Sequence, residues 1–205
     1  MDLEPVRRKR GRRLSFDRDA ALHQAMLLFW RHGYEGTSLN ALTEALGVTP
    51  PSIYTAFGDK KRLFREAVGL YLSGGPGARQ IIDQAVTARA AAHELLSAAA
   101  AGYTGPDRPS GCLLATSAIS CSPESAEIQS ELGEIRRGIE QHLRQRIAGD
   151  IASGALPPGT DATALAGLVV AVIQGMSTLA RDGASTAHVR MIADAAMAAW
   201  PPDPA

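Results

Sequence analysis

Two short helix-forming segments separated by a glycine constrain this chain more than any other feature. Residues 38–46 and 50–57 each carry apolar side chains at helical spacing, and Gly47 and Gly58 follow them directly. A serine or threonine stands before each segment, and Pro50 takes the first helical position of the second, where proline is tolerated. Because glycine readily ends a helix, the pattern predicts two short helices joined by a tight turn.

Helices are also predicted on both sides of this pair, and no segment keeps the period-two alternation of a strand. We expect a first helix over 17–32 that stops at Gly33, and a fourth that Asp59 caps and that continues to residue 72. Further helices are predicted over 78–101, 110–120, 124–153, 161–181 and 186–199. The expected fold class is therefore all-α.

Charge divides the chain into two parts. Residues 1–72 hold twelve Lys and Arg against eight Asp and Glu, a net charge of +4, whereas residues 73–205 hold nine against thirteen, a net charge of −4. The glycine-rich stretch 73–77 is the best boundary between them. We predict a disordered basic arm at 1–14, a helix-turn-helix domain at 15–72 and a helical domain at 73–205.

Several classes of protein are disfavoured. The polar start is not expected to be a signal peptide, and the most apolar stretch, Ala162–Ile173, is expected to be too short to cross a membrane. Two cysteines, Cys112 and Cys121, form neither a disulfide framework nor a metal site, so a reducing cytoplasm is the expected compartment. No phosphate loop, metal-ligand spacing or catalytic triad is present, so we expect no enzymatic activity, cofactor or metal.

A helix-turn-helix places the start of its second helix in the major groove of DNA. Leucines and Val48 hold the two helices together, which leaves short polar side chains exposed at the start of the second helix. Lys60 begins the next helix, where a cation and backbone N–H groups favour a phosphate. The residues expected to contact DNA are Arg12, Arg13, Thr37, Thr49, Pro51, Ser52, Tyr54, Thr55 and Lys60.

Residues 16–72 closely resemble the DNA-binding domain of the TetR family of regulators. The resemblance rests on Ala25, Phe29, Gly33-Tyr34 and Thr37-Ser38, followed by the run Leu42-x-x-Ala45-Leu46-Gly47-Val48-Thr49-Pro50-Pro51-Ser52-Ile53-Tyr54-x-x-Phe57-x-x-Lys60. The departure is Thr55-Ala56, where many members carry a histidine and an aromatic residue. The resemblance implies a repressor that binds a palindromic operator as a dimer and is released by a small molecule.

The same resemblance implies that the last two long helices pair with their copies in a second subunit. Their apolar faces equally suit the core of one subunit, so both interpretations stay open here. The residues predicted for the dimer interface are Leu165, Leu168, Val169, Val172, Ile173, Met176, Met191, Ile192 and Ala195.

An effector pocket is expected among the helices of the second domain. Cys112 follows Gly111 at the start of a predicted helix, in a run similar to one in TetR-like regulators that sense electrophiles; it is either a reactive thiol or a small buried side chain. Polar residues in apolar surroundings supply the other candidates, and the apolar walls favour a lipophilic ligand. The predicted effector-binding residues are Tyr103, Cys112, Ser117, His142 and Gln174.

Two alternatives to a repressor remain at this point. One is a transcriptional activator of the same fold, since the sign of regulation depends on where the operator lies. The other is a helical protein-interaction module that does not bind DNA.

Overall fold

The structure is a computed structural model that describes residues 16–201. About 74% of it is helical, and no strand occurs within the described residues, which confirms the all-α fold class. The α-helices are α1 (Arg18–Gly36), α2 (Leu39–Leu46), α3 (Pro50–Phe57), α4 (Lys60–Ser73), α5 (Ala78–Gln84), α6 (Ala88–Tyr103), α7 (Leu113–Thr116), α8 (Ala126–Ala152), α9 (Ala162–Arg181) and α10 (Thr186–Met197), and a 3₁₀ turn (Pro123–Ser125) precedes α8. We call α1–α4 the head and α5–α10 the body.

Side-chain caps start three of the four head helices. An oxygen of Asp17 accepts hydrogen bonds from the backbone N–H groups of residues 19 and 20, and Ser38 and Asp59 each accept one from the residue three positions later. Such bonds satisfy N–H groups that otherwise lack a partner in the first turn of a helix. The helix starts predicted at these positions therefore agree with the structure to within one residue.

Gly33 interrupts the helical backbone of α1, at the position where the sequence predicts the first helix to stop, and bends the chain. Its φ of 76° lies in the region that favours glycine, and helical backbone resumes up to Gly36. The bend lets the N–H of Tyr34 donate a hydrogen bond of 2.8 Å to the carbonyl oxygen of Ser117 in the body. A Cβ atom at Gly33 would lie 3.1 Å from that oxygen, so the close approach also favours glycine.

The prediction of a single helix over 78–101 is wrong. The structure has two helices, α5 and α6, separated at residues 85–87. Thr87 caps α6 through its side chain, and the carboxylate of Asp150, in α8, accepts a hydrogen bond of 2.5 Å from the N–H of Ala88. This second bond comes from 62 residues away, which is why local helix propensity did not reveal the break.

The helix predicted over 110–120 is also shorter than expected, since α7 has only four residues. The two backbone N–H groups just before it donate to other elements. The N–H of Cys112 donates to the hydroxyl of Ser177 in α9 at 2.8 Å, and the N–H of Gly111 donates to the carbonyl oxygen of Tyr103 at 2.9 Å. Hydrogen bonds to neighbouring helices therefore determine the conformation at the start of segment 111–117, which does not form a long helix.

The head is built on an aromatic core. Phe29, Tyr34 and Phe64 pack together with ring centroids 5.0–6.2 Å apart. The apolar and aromatic residues of this core are all buried: Phe29, Tyr34, Leu42, Ile53 and Phe57. They hold α3 against the rest of the head and leave its opposite face exposed.

In the body, α8 and α9 pack along each other, and α6 and α10 complete the bundle. Among the described helices, α9 alone is long and apolar enough, by length and composition only, to cross a membrane, because it extends eight residues past the apolar stretch Ala162–Ile173. A third of its most apolar window is buried inside the body. The rest of that window is exposed or half-buried on the surface of the subunit.

Candidate nucleic-acid interface and effector cavity

The turn between α2 and α3 has the geometry that the sequence predicts. Gly47 adopts the left-handed conformation (φ 62°, ψ 32°), and its N–H and that of Val48 donate to carbonyl oxygens in the last turn of α2. Leu42 and Ile53 are fully buried where the two helices meet the core. The turn and these contacts fix the orientation of α3 on α2.

The exposed face of α3 carries most of the predicted DNA-contact residues. Thr49, Pro51, Tyr54 and Thr55 are exposed and Ser52 is half-buried. The Tyr54 side chain is 52% exposed, which is a large exposed fraction for an aromatic residue. Short hydroxyls, a proline ring and a phenol together suit phosphate oxygens and thymine methyl groups.

Local hydrogen bonds hold the hydroxyl groups of this face in place. The hydroxyl oxygens of Thr49 and Ser52 lie 3.0 Å apart, and the hydroxyl of Thr55 donates to the carbonyl oxygen of Pro51 at 2.8 Å. Thr49 stands at the N-cap position of α3 but makes no capping bond through its side chain. Thr49 therefore occupies the expected N-cap position, but its hydroxyl contacts the Ser52 hydroxyl instead of a backbone N–H group.

The predicted DNA contact of the Thr37 side chain is also corrected by the structure. Thr37 is 1% exposed, and its hydroxyl donates a hydrogen bond of 2.7 Å to the carbonyl oxygen of Gly33. The side chain thus ties the end of α1 to the bend at Gly33. It stabilises the head and does not face DNA.

Lys60 lies at the start of α4, as predicted, but its side chain is half-buried over an aromatic ring. The ammonium nitrogen lies 4.3 Å from the centre of the Tyr34 ring. Desolvation lowers the pKa of Lys60, and the nearby carboxylate of Glu35 opposes that shift. A phosphate contact by Lys60 stays a prediction. It requires the ammonium group either to move away from the Tyr34 ring or to contact the ring and the phosphate at the same time.

Most other cations of the described head are paired within the protein. Arg18 donates to Glu66 at 2.6 Å, and Lys61 and Arg65 pair with the α8 carboxylates Glu127 and, for Arg65, Glu131. Arg12 and Arg13 lie outside the described residues. A DNA contact by these two arginines stays a prediction.

A cavity of about 350 Å³ lies between the head and the body. Three of the predicted effector-binding residues, Tyr103, Cys112 and Gln174, line it. Trp30 of α1 and Tyr71 of α4 also line it, so the head forms part of its wall. Volume and lining fit a small-molecule site.

Ser117 and His142, the other two predicted effector residues, do not line the cavity. Ser117 is buried against α1, with its hydroxyl 3.5 Å from the carbonyl oxygen of Phe29. The Nε2 atom of His142 lies 2.7 Å from a carboxylate oxygen of Asp83 on the outside of the body. Both side chains have hydrogen-bond partners within the protein, and the structure does not bring them together with the other three predicted residues.

Sequence reasoning missed four polar or aromatic residues of the cavity wall, Trp30, Tyr71, Arg108 and Arg136. The hydroxyl of Tyr71 donates to the sulfur of Cys112 at 3.3 Å. Burial, followed by the proximity of Cys112, raises the pKa of both Tyr71 and Tyr103, so both phenols are protonated at neutral pH. The sequence does contain an indication for Arg136, because this residue interrupts the apolar helix face that includes Leu132 and Ile139.

The predicted dimer interface divides between the inside and the outside of the subunit. Leu165, Val169 and Met176 are buried, so they belong to the subunit's own core and the prediction is wrong for them. Periodicity marks an apolar face but does not say which helix covers it. The remaining predicted residues are exposed or half-buried: Leu168, Val172, Ile173, Met191, Ile192 and Ala195.

An exposed stripe of small and apolar residues runs along α9. Its members recur every three or four positions, the spacing of one helix face, and Leu168 is 36% exposed and is the largest of them. The next helix adds Met191, which is 62% exposed. The exposed members of the α9 stripe are Ala164, Leu168, Ala171, Gly175 and Thr178.

Two family profiles match the chain and together span most of it. The profile described as "Bacterial regulatory proteins, tetR family" matches residues 21–67. The profile described as "Tetracyclin repressor-like, C-terminal domain" matches residues 81–196. The matches therefore cover both the head and the body.

Individual relatives agree with the profiles. The HTH-type transcriptional repressor ComR of Escherichia coli strain K12 is 37% identical over 198 residues, 96% of this chain and 94% of ComR. A cysteine-substituted form of the TetR family regulator CifR, solved with 26-bp double-strand operator DNA, is 40% identical, with a TM-score of 0.87 over 93% of this chain and 100% of that chain. A putative TetR regulator from Rhodococcus sp. RHA1 is 34% identical, with a TM-score of 0.59 over 90% of this chain.

Proposed function

The chain belongs to the TetR family and is a DNA-binding transcriptional regulator rather than an enzyme; we propose that it acts in the cytoplasm as a homodimeric repressor that a small molecule releases from its operator. The exposed face of α3 is the observation that carries the DNA-binding part. Tyr54 is the largest side chain on that face and is half exposed.

A dimer explains the exposed stripe on α9. An apolar helix face left in water is costly, and a second copy of the same face would remove it from water. The small residues Ala171 and Gly175 allow two helices to approach closely. Two heads held by such an interface match a palindromic operator, whose half-sites lie one or more helical turns apart.

The cavity is the proposed effector site because the head and the body share its wall. Trp30 of the head and Cys112 of the body both line it. Segment 111–117, which begins beside Cys112, ends at Ser117, whose carbonyl oxygen accepts the hydrogen bond from Tyr34 in the head. A ligand that displaces this wall therefore displaces the contact that positions the end of α1.

Arg181 supports the same coupling from the proposed dimer helix. Its guanidinium, at the end of α9, donates to the carbonyl oxygens of Trp30 and Arg31 at 2.9 and 2.8 Å. The head is thus attached both to the cavity wall and to the helix that joins two subunits. We infer that the ligand shifts the population of dimers toward an arrangement in which the two heads no longer match the half-site spacing.

A promoter–reporter assay in the host tests the sign of regulation. Deletion of the gene is expected to raise expression from the operator-bearing promoter, and complementation with wild type to lower it again. Complementation with Tyr54→Ala should leave expression high. Lower expression on deletion would instead identify the activator.

A further inference from the structure

We propose that the cavity binds a small amphipathic carboxylate, whose charged group pairs with Arg136 and whose apolar body fills the rest of the space. The inference rests on the proposed effector role of this cavity and specifies the chemistry of its ligand. Three features of the wall support it: a guanidinium without a counter-ion among residues 16–201, the absence of acidic lining residues in that range, and an apolar remainder.

Arg136 extends from α8 to the cavity and is half-buried there. One of its nitrogens donates a hydrogen bond of 2.5 Å to the carbonyl oxygen of Leu114, and no carboxylate among residues 16–201 pairs with it. A guanidinium has five N–H donors, so most of them remain free for a ligand. Desolvation lowers the pKa of Arg136, which reflects the cost of holding this charge in an apolar wall.

The remaining charge of the wall has the same sign. Arg108 is the other ionic lining residue, and neither aspartate nor glutamate occurs among the described residues that line the cavity. The body as a whole is acidic, so this local excess of positive charge is not an effect of composition. Arg136 is partly buried, and a cation that has lost part of its contact with water is stabilised by a neighbouring anion, which a bound carboxylate would supply.

The rest of the wall selects for an apolar body. Leu95, Ala99, Ile139, Val170 and Ile173 surround the space next to Trp30. Polyphosphates and sugars would leave polar groups unpaired against these side chains. The planar guanidinium matches the two oxygens of one carboxylate, and a single charge is the smallest that neutralises Arg136.

The test compares octanoate with 1-octanol, which share an apolar chain and differ in charge. Binding to the full-length protein is measured by isothermal titration calorimetry for wild type, Arg136→Gln and Arg137→Gln. Arg137 is the matched control because it is the next residue, is exposed and does not line the cavity. Release of operator DNA by each compound is followed in parallel by fluorescence anisotropy.

We expect wild type to bind octanoate at least tenfold more tightly than 1-octanol. Arg136→Gln should weaken octanoate binding by roughly tenfold or more, as expected for loss of a charge-assisted pair, and should leave 1-octanol binding unchanged. Retained binding of 1-octanol shows that the variant keeps the cavity. Arg137→Gln should bind octanoate as wild type does.

Equal binding of the two compounds to wild type would overturn the proposal, as would octanoate binding that Arg136→Gln does not weaken or that is absent in wild type. The effector role is tested separately. Octanoate that binds through Arg136 without releasing the operator would support the anion site and contradict the proposed effector function.

Discussion

The indole nitrogen of Trp30 donates a hydrogen bond of 3.1 Å to the carbonyl oxygen of Gly111, 81 residues away in sequence. Trp30 belongs to the first helix of the head and lines the cavity, whereas Gly111 immediately precedes Cys112 in the body. This buried hydrogen bond links the DNA-binding part of the chain directly to the wall of the proposed effector site.

Trp30→Phe tests the strength of this link, and Trp200→Phe is a matched control. The Trp200 indole N–H is buried and has no hydrogen-bond partner within the described residues. We expect Trp30→Phe to lower the free energy of unfolding by about 1–2 kcal/mol more than Trp200→Phe, because it leaves the Gly111 carbonyl oxygen unsatisfied. Urea unfolding measures the difference. Equal costs for the two variants would contradict the account.

Leu168→Glu tests the proposed dimer interface. The side chain is already 36% exposed in one subunit, so we expect the subunit to fold normally. Two copies of a carboxylate facing each other across the interface should raise the dimer dissociation constant at least tenfold and weaken operator binding with it, as measured by sedimentation velocity and anisotropy. Ala148→Glu, at an exposed position of α8, should remain dimeric. A dimeric Leu168→Glu would exclude this face.

Glu35 predicts a pH dependence of stability. Hydrogen bonds from Ser125 and from the N–H and hydroxyl of Ser122 lower the pKa of Glu35 below its usual 4.5. A carboxyl group with a lowered pKa in the folded state adds stability above its unfolded pKa, and that stability is lost as the pH falls through the folded pKa.

The measurement is the free energy of unfolding between pH 7 and pH 3.5 for wild type and Glu35→Gln. The variant should lose less stability on acidification, and the effect should be small because Glu35 is exposed and screened. Glu44→Gln, at an exposed position of α2, should follow wild type. An unchanged acid dependence in Glu35→Gln would show that these hydrogen bonds do not stabilise the fold.

The hypothesis that Cys112 senses electrophiles makes a separate prediction. Cys112 lines the cavity, and its sulfur accepts a hydrogen bond from Tyr71. Cys112→Ser should keep operator affinity within about twofold and lose release by p-benzoquinone, measured by anisotropy. Cys121→Ser, outside the cavity wall, should still be released. Normal release of Cys112→Ser would leave Cys112 as a buried packing residue.

The helical head was largely predictable because its determinants are local. The Ser38 and Asp59 caps and Gly47 lie within a few residues of the ends they set, and sequence spacing reveals them. The break between α5 and α6 depends on Asp150, which is distant in the chain and not recognisable from the sequence as a cap.

The sites were less predictable than the fold. Thr37 was expected to face DNA because it stands before a helix, but the bend at Gly33 turns its hydroxyl inward. Periodicity grouped Val169 with Leu168, although one is buried in the subunit and the other is exposed. Arg136 was missed because it lies in a run of charged residues that resembles a solvated surface.

The most direct test of the central claim is DNase I footprinting with the purified full-length protein across the promoters of its own and neighbouring genes. We expect specific protection of a palindromic site, and loss of that protection in Tyr54→Ala, whose exposed side chain can be removed without disturbing the core. Thr37→Ser, which keeps the hydroxyl contact with Gly33, should protect the site as wild type does. The absence of specific protection on these promoters, or protection that Tyr54→Ala retains in full, would contradict the proposed DNA-reading face.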